Sequence, residues 1–221
     1  MGLNLIISAK KITIISALLI FIALPVLLFI TGDSPGRTVL KDSISILTII
    51  AFALLLQQLF LTRHVKTISQ FYKLSQISNR HKVTGYIIVP FFLLHPVLIV
   101  LPRFFEAGVE PLDALITIIT TFESTGVILG LIAWGLMLVL GITALFRYRL
   151  VKKLGVNYKA WRYFHGSLSI LFISLASWHA IELGRHINYL MAVFIIICAL
   201  TGAVMLVRHY VVNPVIHIGA K

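Results

Sequence analysis

The chain has 221 residues, of which 59% are hydrophobic and 12% are charged, and it carries a formal net charge of +12. This composition excludes an ordinary soluble domain, because apolar stretches of about 18 or more residues predict membrane-spanning helices. The basic residues stand in short loops beside these stretches, which argues against nucleic-acid binding. A single cysteine, Cys198, excludes an internal disulfide and a cluster ligated by cysteines of this chain alone.

Six apolar segments follow one another along the chain. They predict membrane spans at about 12–30, 43–61, 84–101, 125–146, 164–182 and 189–207. The long connection over 101–124 predicts a further short helix at 112–121. The expected fold is therefore an all-α membrane protein: one domain over 1–221, folded as a six-helix transmembrane bundle. We expect it in the inner or plasma membrane, with lipid around it.

The charges predict the orientation of these spans. Fifteen of the 19 Lys and Arg residues fall on the side of both termini, so the positive-inside rule predicts an N-in, C-in topology. The acidic residues all fall on the opposite side: Asp33, Asp42, Glu106, Glu110, Asp113, Glu123 and Glu182.

Two histidine pairs stand in the third and fifth spans. The segment "HKVTGYIIVPFFLLHP" has His81 and His95, and "HGSLSILFISLASWH" has His165 and His179, with fourteen positions between the members of each pair. Fourteen helical residues rise about 21 Å and end within roughly 40° of a whole number of turns. If the two helices are neighbours, His81 faces His165 at an inner depth, and His95 faces His179 at an outer depth.

Two imidazoles on facing helices suit the two axial positions of a porphyrin iron. Histidines buried in hydrocarbon are costly and usually functional, although a single one is more often a hydrogen-bonded packing residue. Zinc or copper is a weaker alternative, because two imidazoles do not complete a tetrahedral shell and no cysteine lies near. The pattern favours two haem b groups stacked between the third and fifth helices.

Several residues near these histidines are candidates for haem contacts. Possible propionate partners are Arg80, Lys82 and Arg162 on the inner side and Arg103, Arg185 and His186 on the outer side. The inner residues would also be placed there by the positive-inside rule alone. The remaining histidines, His64, His209 and His217, lie at the inner ends and are expected to be solvated.

Small and aromatic residues complete the predicted site. Gly85 and Gly166 adjoin the inner ligands and would admit a porphyrin edge, although helix packing explains them nearly as well. Phe172 lies seven residues from His165 and seven from His179, so we expect it between the two haems, on the electron path, with plain core packing as the alternative.

Prolines and glycines predict the shape of the spans around these residues. Pro90 and Pro96 should bend the third span near His95. The "GVILG" run from Gly126 to Gly130 indicates helix packing.

The segments "RHKVTGYIIVPFFLLHP" and "WRYFHGSLSILFISLASWH" resemble those of the ferric reductase-like transmembrane family. This family includes NADPH oxidases, ferric reductases and the haem subunit of the periplasmic methionine sulfoxide reductase system. The resemblance implies the same pairing of the four histidines. It also implies an oxidoreductase in which electrons pass from cytoplasmic reduced flavin, supplied by NAD(P)H, through the inner and then the outer haem to an acceptor outside.

The chain departs from many members of that family after the sixth span. They continue into flavin and nicotinamide domains, whereas here "HYVVNPVIHIGAK" follows and no glycine-rich nucleotide fingerprint occurs. FAD or FMN would then enter through a partner or a missing domain. Either a cytoplasmic flavoprotein or NAD(P)H reductase docks on the basic inner face, or the sequence is a piece of a longer protein.

The sequence therefore predicts a transmembrane di-haem b cytochrome. Its acceptor would be ferric iron, dioxygen or a periplasmic partner protein: the positive charges near Arg103 and Arg185 suit dioxygen or a chelated anion, and the acidic outer loop suits ferric ions or a basic partner. Because two imidazoles saturate an iron, the acceptor would be reduced without binding to the metal. The alternatives are a quinone-linked electron conduit or sensor subunit and, third, a metal-ion transporter.

Overall fold

The computed structural model describes residues 2–32, 35–61, 72–106, 108, 110–122 and 124–212. His64, His217, Asp33 and Glu123 lie outside the described residues. The α-helices in chain order are α1 (Gly2–Leu18), α2 (Leu24–Ile30), α3 (Val39–Phe60), α4 (Leu74–Leu93), α5 (His95–Val100), α6 (Pro111–Thr120), α7 (Thr125–Leu145), α8 (Arg147–Leu154), α9 (Tyr158–Leu183) and α10 (Tyr189–Val207). Single π or 3₁₀ turns occupy Leu19–Ala23, Leu101–Phe105 and Arg208–Val212.

The chain divides into two compact units. The first contains the residues up to Ile88 and those from His186 onward, and the second is Val89–Arg185. The prediction of a single domain over 1–221 stays a prediction.

In the first unit, α3 and α10 pack closely. A Cβ added at Gly202 of α10 would lie 2.6 Å from the Cβ of Leu59, so only glycine permits this approach of the two helices. Leu56 and Ile195 are among the largest fully buried side chains. Each of these helices begins at a side-chain cap: Thr38 accepts from the amide of Lys41, and Asn188 accepts from that of Met191.

The second unit is built on the pairing of α7 with α9. Met137 of α7 and Phe172 of α9 are both 4% exposed, which places them in the core of this unit. The helix α8 ends at Gly155, whose φ of +63° is the left-handed conformation that terminates a helix readily only with glycine. Two residues later, the side chain of Asn157 accepts a hydrogen bond from the amide of Ala160 and starts α9.

The third predicted span is broken. Residues Leu74–Leu93 and His95–Phe105 meet at an angle of 50° around Leu94. Pro90 lacks an amide hydrogen within α4, and a second proline, Pro96, stands in the first turn of α5. The predicted bend near His95 is confirmed.

The other predicted spans are confirmed with shifts at their ends. Five helices are long and apolar enough to cross a membrane, or six if the bent pair is one span, within the part of the chain that the structure describes. The fifth begins at Tyr158, earlier than the predicted 164, and the short outer helix is Pro111–Thr120. The protein is thus an all-α, multi-pass membrane protein. The N-in, C-in topology stays a prediction.

Candidate haem-ligand site

His179 of α9 has a defined hydrogen bond to the neighbouring helix. Its Nδ1 lies 2.8 Å from the carbonyl oxygen of Gly126 in α7. A carbonyl only accepts, so Nδ1 carries the hydrogen and Nε2 keeps its lone pair. A hydrogen bond of this kind sets the tautomer and the ring direction of metal-ligating histidines. His179 is therefore prepared to offer Nε2 to an iron.

A glycine in α7 makes room for this imidazole. A Cβ at Gly130 would lie 2.6 Å from the Cε1 atom of His179, which is closer than side-chain carbons approach. A Cβ at Gly126 would similarly lie 2.7 Å from the Cγ of Leu183. The two glycines, one helical turn apart, form a notch against which α9 packs with its histidine. The expectation that "GVILG" is a packing motif is confirmed, and Gly130 in addition accommodates the candidate ligand.

Glu182 closes the same network one turn after His179. Its Oε1 accepts from the amide of Gly126 at 2.9 Å, and its Oε2 accepts from Nε1 of Trp178 at 2.8 Å. The carboxylate thus satisfies an amide in the first turn of α7, where a negative charge also interacts favourably with the helix dipole. Through Gly126, it fixes the position of the carbonyl that holds His179.

His95 stands at the first position of α5, immediately after the break in the third span. Its ring meets that of Phe92 edge-on at 5.9 Å between centroids, and it lies within electrostatic range of His179. Its Nδ1 is buried and has no hydrogen-bond partner among the described residues. A buried, unpaired ring nitrogen is costly, so this histidine lacks a partner that a further group would supply.

The helix α7 contacts both segments that bear these two histidines. Nε1 of Trp134 donates to the carbonyl oxygen of Leu93 at 3.1 Å, beside the break. A Cβ at Gly141 would lie 3.1 Å from Cγ1 of Val89, so α7 and the end of α4 are close there as well. Since α7 also holds His179, one helix positions both outer candidate ligands.

His165 lies in a different environment at the other end of α9. Its ring stacks on that of Trp161 with 5.1 Å between centroids and 21° between planes. Trp161 stacks in turn on Tyr158, at 5.8 Å and 15°. Arg147 of α8 lies over both aromatic rings, at 5.3 Å from Trp161 and 5.7 Å from Tyr158. The inner candidate ligand is thus placed by a column of rings on its own helix.

His81 belongs to the first unit and His165 to the second, and their pairing stays a prediction. A Cβ at Gly85 would meet no atom within 4 Å, so the space beside this glycine is open. Gly166 is buried in the second unit. Their predicted role in admitting a porphyrin edge remains a prediction.

The predicted outer propionate contacts lie in three settings. His186 is buried, with Nη2 of Arg37 at 3.1 Å from its Nε2 and a carboxylate oxygen of Asp42 at 3.7 Å. Arg103 is exposed and lines, together with Glu110 and Asp113, a cavity of about 500 Å³ in the outer loop.

Arg185 is exposed at the end of the second unit. The propionate role of all three outer residues stays a prediction.

The inner candidates are equally untested as haem contacts. The guanidinium of Arg80 lies 4.7 Å from the ring centroid of Tyr72, over which the ammonium of Lys10 also lies at 5.8 Å. Lys82 is exposed and Arg162 is half-buried.

Phe172 is 4% exposed and lies on the same face of α9 as His165 and His179. Its position within the second unit agrees with core packing and with the predicted place between two haems. Its role in electron transfer stays a prediction.

These donors fit haem better than a bare metal ion. Among the described residues, no three side chains of His, Cys, Asp or Glu come together in a group that could hold a metal. A porphyrin supplies four ligands of its own and needs only axial imidazoles, which His95 and His179 can provide. The unpaired Nδ1 of His95 and the oriented ring of His179 are the observations that favour this fit.

Comparison with known proteins agrees with this chemistry. Residues 47–176 match the family model described as "Ferric reductase like transmembrane component". The chain belongs to the ferric reductase-like transmembrane family. It is also 39% identical over 165 residues to an uncharacterized protein of Archaeoglobus fulgidus, covering 75% of this chain and 87% of that protein. No solved structure matches it. Members of the family typically bind haem, and membership implies transmembrane electron transfer and an oxidoreductase role.

The sequence analysis missed the groups that hold the candidate ligands. Glu182 was grouped with the outer acids, and Trp161, Tyr158 and Arg147 were given no role. The spacing of Tyr158, Trp161 and His165 on one helix was a usable signal, because residues three and four apart are neighbours on a helix surface. The link from Glu182 to Gly126 spans 56 positions, and no local pattern announces it.

Proposed function

We propose that the protein is a transmembrane di-haem b cytochrome. Electrons would come from a cytoplasmic reduced flavin, oxidised in turn against NAD(P)H, and would go to an extracytoplasmic acceptor such as ferric iron, dioxygen or a periplasmic protein. The observation that carries the proposal is the preparation of His179, whose Nδ1 is engaged by Gly126 and whose Nε2 is left to bind iron. Family membership supports the same reading.

The roles of the residues follow from this assignment. His81 and His165 would hold the inner haem, and His95 and His179 the outer one. Haem, when bound, supplies one-electron chemistry at an iron whose axial positions are both taken by imidazole. The apolar helices exclude water, and Phe172 fills the region between the two pairs of ligands. The cytoplasmic donor protein and the periplasmic acceptor remain proposals of class, not of identity.

The first test is the visible spectrum of the purified full-length chain. A bis-histidine cytochrome gives the Soret band and sharp low-spin bands of two haems per chain, whereas a metal-ion transporter would be colourless. Replacing His179 by Leu should remove one haem and leave the other. His209→Leu is the matched control, because it removes an imidazole outside the predicted pairs and should keep both haems. Retention of two low-spin haems in His95→Leu and His179→Leu would contradict the ligand assignment.

A quinone-linked conduit is the second candidate. The side-chain amide of Gln58 in α3 has its nitrogen and its oxygen both buried, with no hydrogen-bond partner among the described residues. A quinone carbonyl could accept from that nitrogen. If the purified protein is reduced by a quinol without any flavoprotein, and Gln58→Leu abolishes this while Gln57→Leu does not, the quinone version replaces the flavin-linked one.

A further inference from the structure

The column of rings that ends at His165 reaches the surface of the second unit. Trp161 is half-buried and Tyr158 is 46% exposed, so the column runs from a protected candidate ligand to an accessible tyrosine. Stacked rings at 5.1 and 5.8 Å between centroids leave no gap for lipid or water between them. A group that touches Tyr158 is therefore connected by aromatic contacts alone to the imidazole of His165.

The surroundings of this column are strongly basic. Between residues 147 and 162 the chain has six basic residues and no acidic one: Arg147, Arg149, Lys152, Lys153, Lys159 and Arg162. Arg147 lies over the faces of Tyr158 and Trp161, while Lys152 and Lys153 are exposed in the last turn of α8. We call the group of Arg147, Lys152, Lys153, Tyr158 and Trp161 the aromatic docking surface.

We propose that this aromatic docking surface is where an acidic flavoprotein docks, with the exposed edge of its flavin directed to Tyr158. The proposal rests on the proposed function, which requires a flavin donor. Positive charge of this density attracts and orients an acidic partner. The exposed tyrosine offers an apolar, aromatic contact of the kind found at the centre of protein interfaces.

Anionic lipid headgroups are the other partner that a basic helix can bind. The structure favours the protein partner because the charges surround an exposed aromatic residue joined to a candidate ligand. Lipid binding would require the charges but gives no reason for the stack of Tyr158 and Trp161 on His165.

Site-specific photo-crosslinking tests the location directly. The full chain, loaded with haem and placed in phosphatidylcholine nanodiscs, receives p-benzoylphenylalanine at Tyr158 or, as the control, at Tyr189, which is 81% exposed in the first unit. The probes are flavodoxin, an acidic FMN protein, and a soluble NADPH-dependent flavin reductase. We expect a crosslink to at least one probe from position 158 and none from position 189. Equal crosslinking from both positions, or none to either probe, overturns the proposal.

Charge variants test the electrostatic part with a binding readout. For the probe that crosslinks, the double variant Lys152→Gln/Lys153→Gln should weaken its binding about tenfold at low salt and little at high salt. Lys73→Gln, which removes a basic residue outside the aromatic docking surface, is the control and should bind like the parent. A loss of equal size in the control would mean that diffuse charge, and not this surface, binds the partner. If phosphatidylglycerol in the nanodiscs redirects the crosslink at 158 to lipid and excludes the probe, the surface is a membrane contact and the proposal fails.

Aromatic variants test the ring column. Trp161→Phe should preserve the affinity and Trp161→Leu should lower it severalfold, because Tyr158 loses the ring that supports it. An equal affinity in both variants contradicts a role for the stack. The visible spectrum, recorded before every binding measurement, separates this proposal from the proposed function: two low-spin haems without docking refute only the surface, whereas a chain that binds no haem refutes the function itself.

Discussion

The two candidate ligands of α9 are held in opposite ways. His179 is fixed by a neighbouring helix, through a hydrogen bond of 2.8 Å to Gly126 and the space left by Gly130. His165 is placed by its own helix, through the stack on Trp161. A hydrogen bond is directional and selects one tautomer, whereas a stack restricts the plane of a ring without choosing which nitrogen carries the hydrogen.

This difference predicts a division of labour between the ends of the helix. The outer site depends on tertiary packing between α7 and α9 and should be sensitive to single atoms added there. The inner site depends on neighbours in sequence and should tolerate more change. Four experiments compare the two ends, in order of decreasing effect.

Gly130→Ala should have the largest effect. The added methyl group would overlap the imidazole of His179, so the ring must leave its hydrogen bond with Gly126. We expect loss of the outer haem with retention of the inner one, measured by haem content and redox titration. Gly135→Ala in the same helix is the control, since its Cβ would meet no atom within 4 Å and helix propensity favours alanine by about 1 kcal/mol. A Gly130→Ala protein with two unaltered haems would refute the notch.

Glu182→Gln should shift the outer site without emptying it. The variant keeps one acceptor oxygen and loses the negative charge that accompanies His179, which disfavours the ferric state and raises the outer reduction potential. The expected size is at most about 1 kcal/mol, or ~40 mV for one electron, because the carboxylate is partly solvated. Glu110→Gln, on the outer loop, should leave both potentials in place. A shift confined to the inner haem would contradict the network.

Trp161→Leu and Trp178→Leu form a crossed pair. The first removes the stack under His165, and the second removes a donor to Glu182 near His179. Each should cost about 1 kcal/mol of stability and alter the electron paramagnetic resonance of one haem only, the inner for Trp161 and the outer for Trp178. If both variants disturb the same haem, the two ends are not independent.

Phe172→Leu should have the smallest effect on either end, because it keeps an apolar side chain of similar volume in the core. Haem content and both potentials should stay unchanged. If the ring lies on the electron path, flash photolysis should find slower transfer between the haems. An unchanged rate would leave Phe172 a packing residue.

The comparison also explains what the sequence could predict. Spans, the histidine spacing and the bend at Pro90 and Pro96 are written in local patterns, and the structure confirms the spans and the bend. The early start of α9 was missed because the cap at Asn157 precedes a polar turn that a hydropathy pattern leaves out. The role of Gly130 could not be found, because it depends on which residue of another helix faces it.

The break at Leu94 has a consequence for how relatives of this chain can vary in length. His95 follows an interruption of regular helix, so one residue added between Leu93 and His95 can be taken up there as a longer joint. One residue added between His165 and His179 would instead rotate everything beyond it by about 100° and carry one imidazole away from the other's face. Insertions and deletions should therefore collect beside residue 94 in distant relatives, while the fourteen-residue interval within α9 keeps its length.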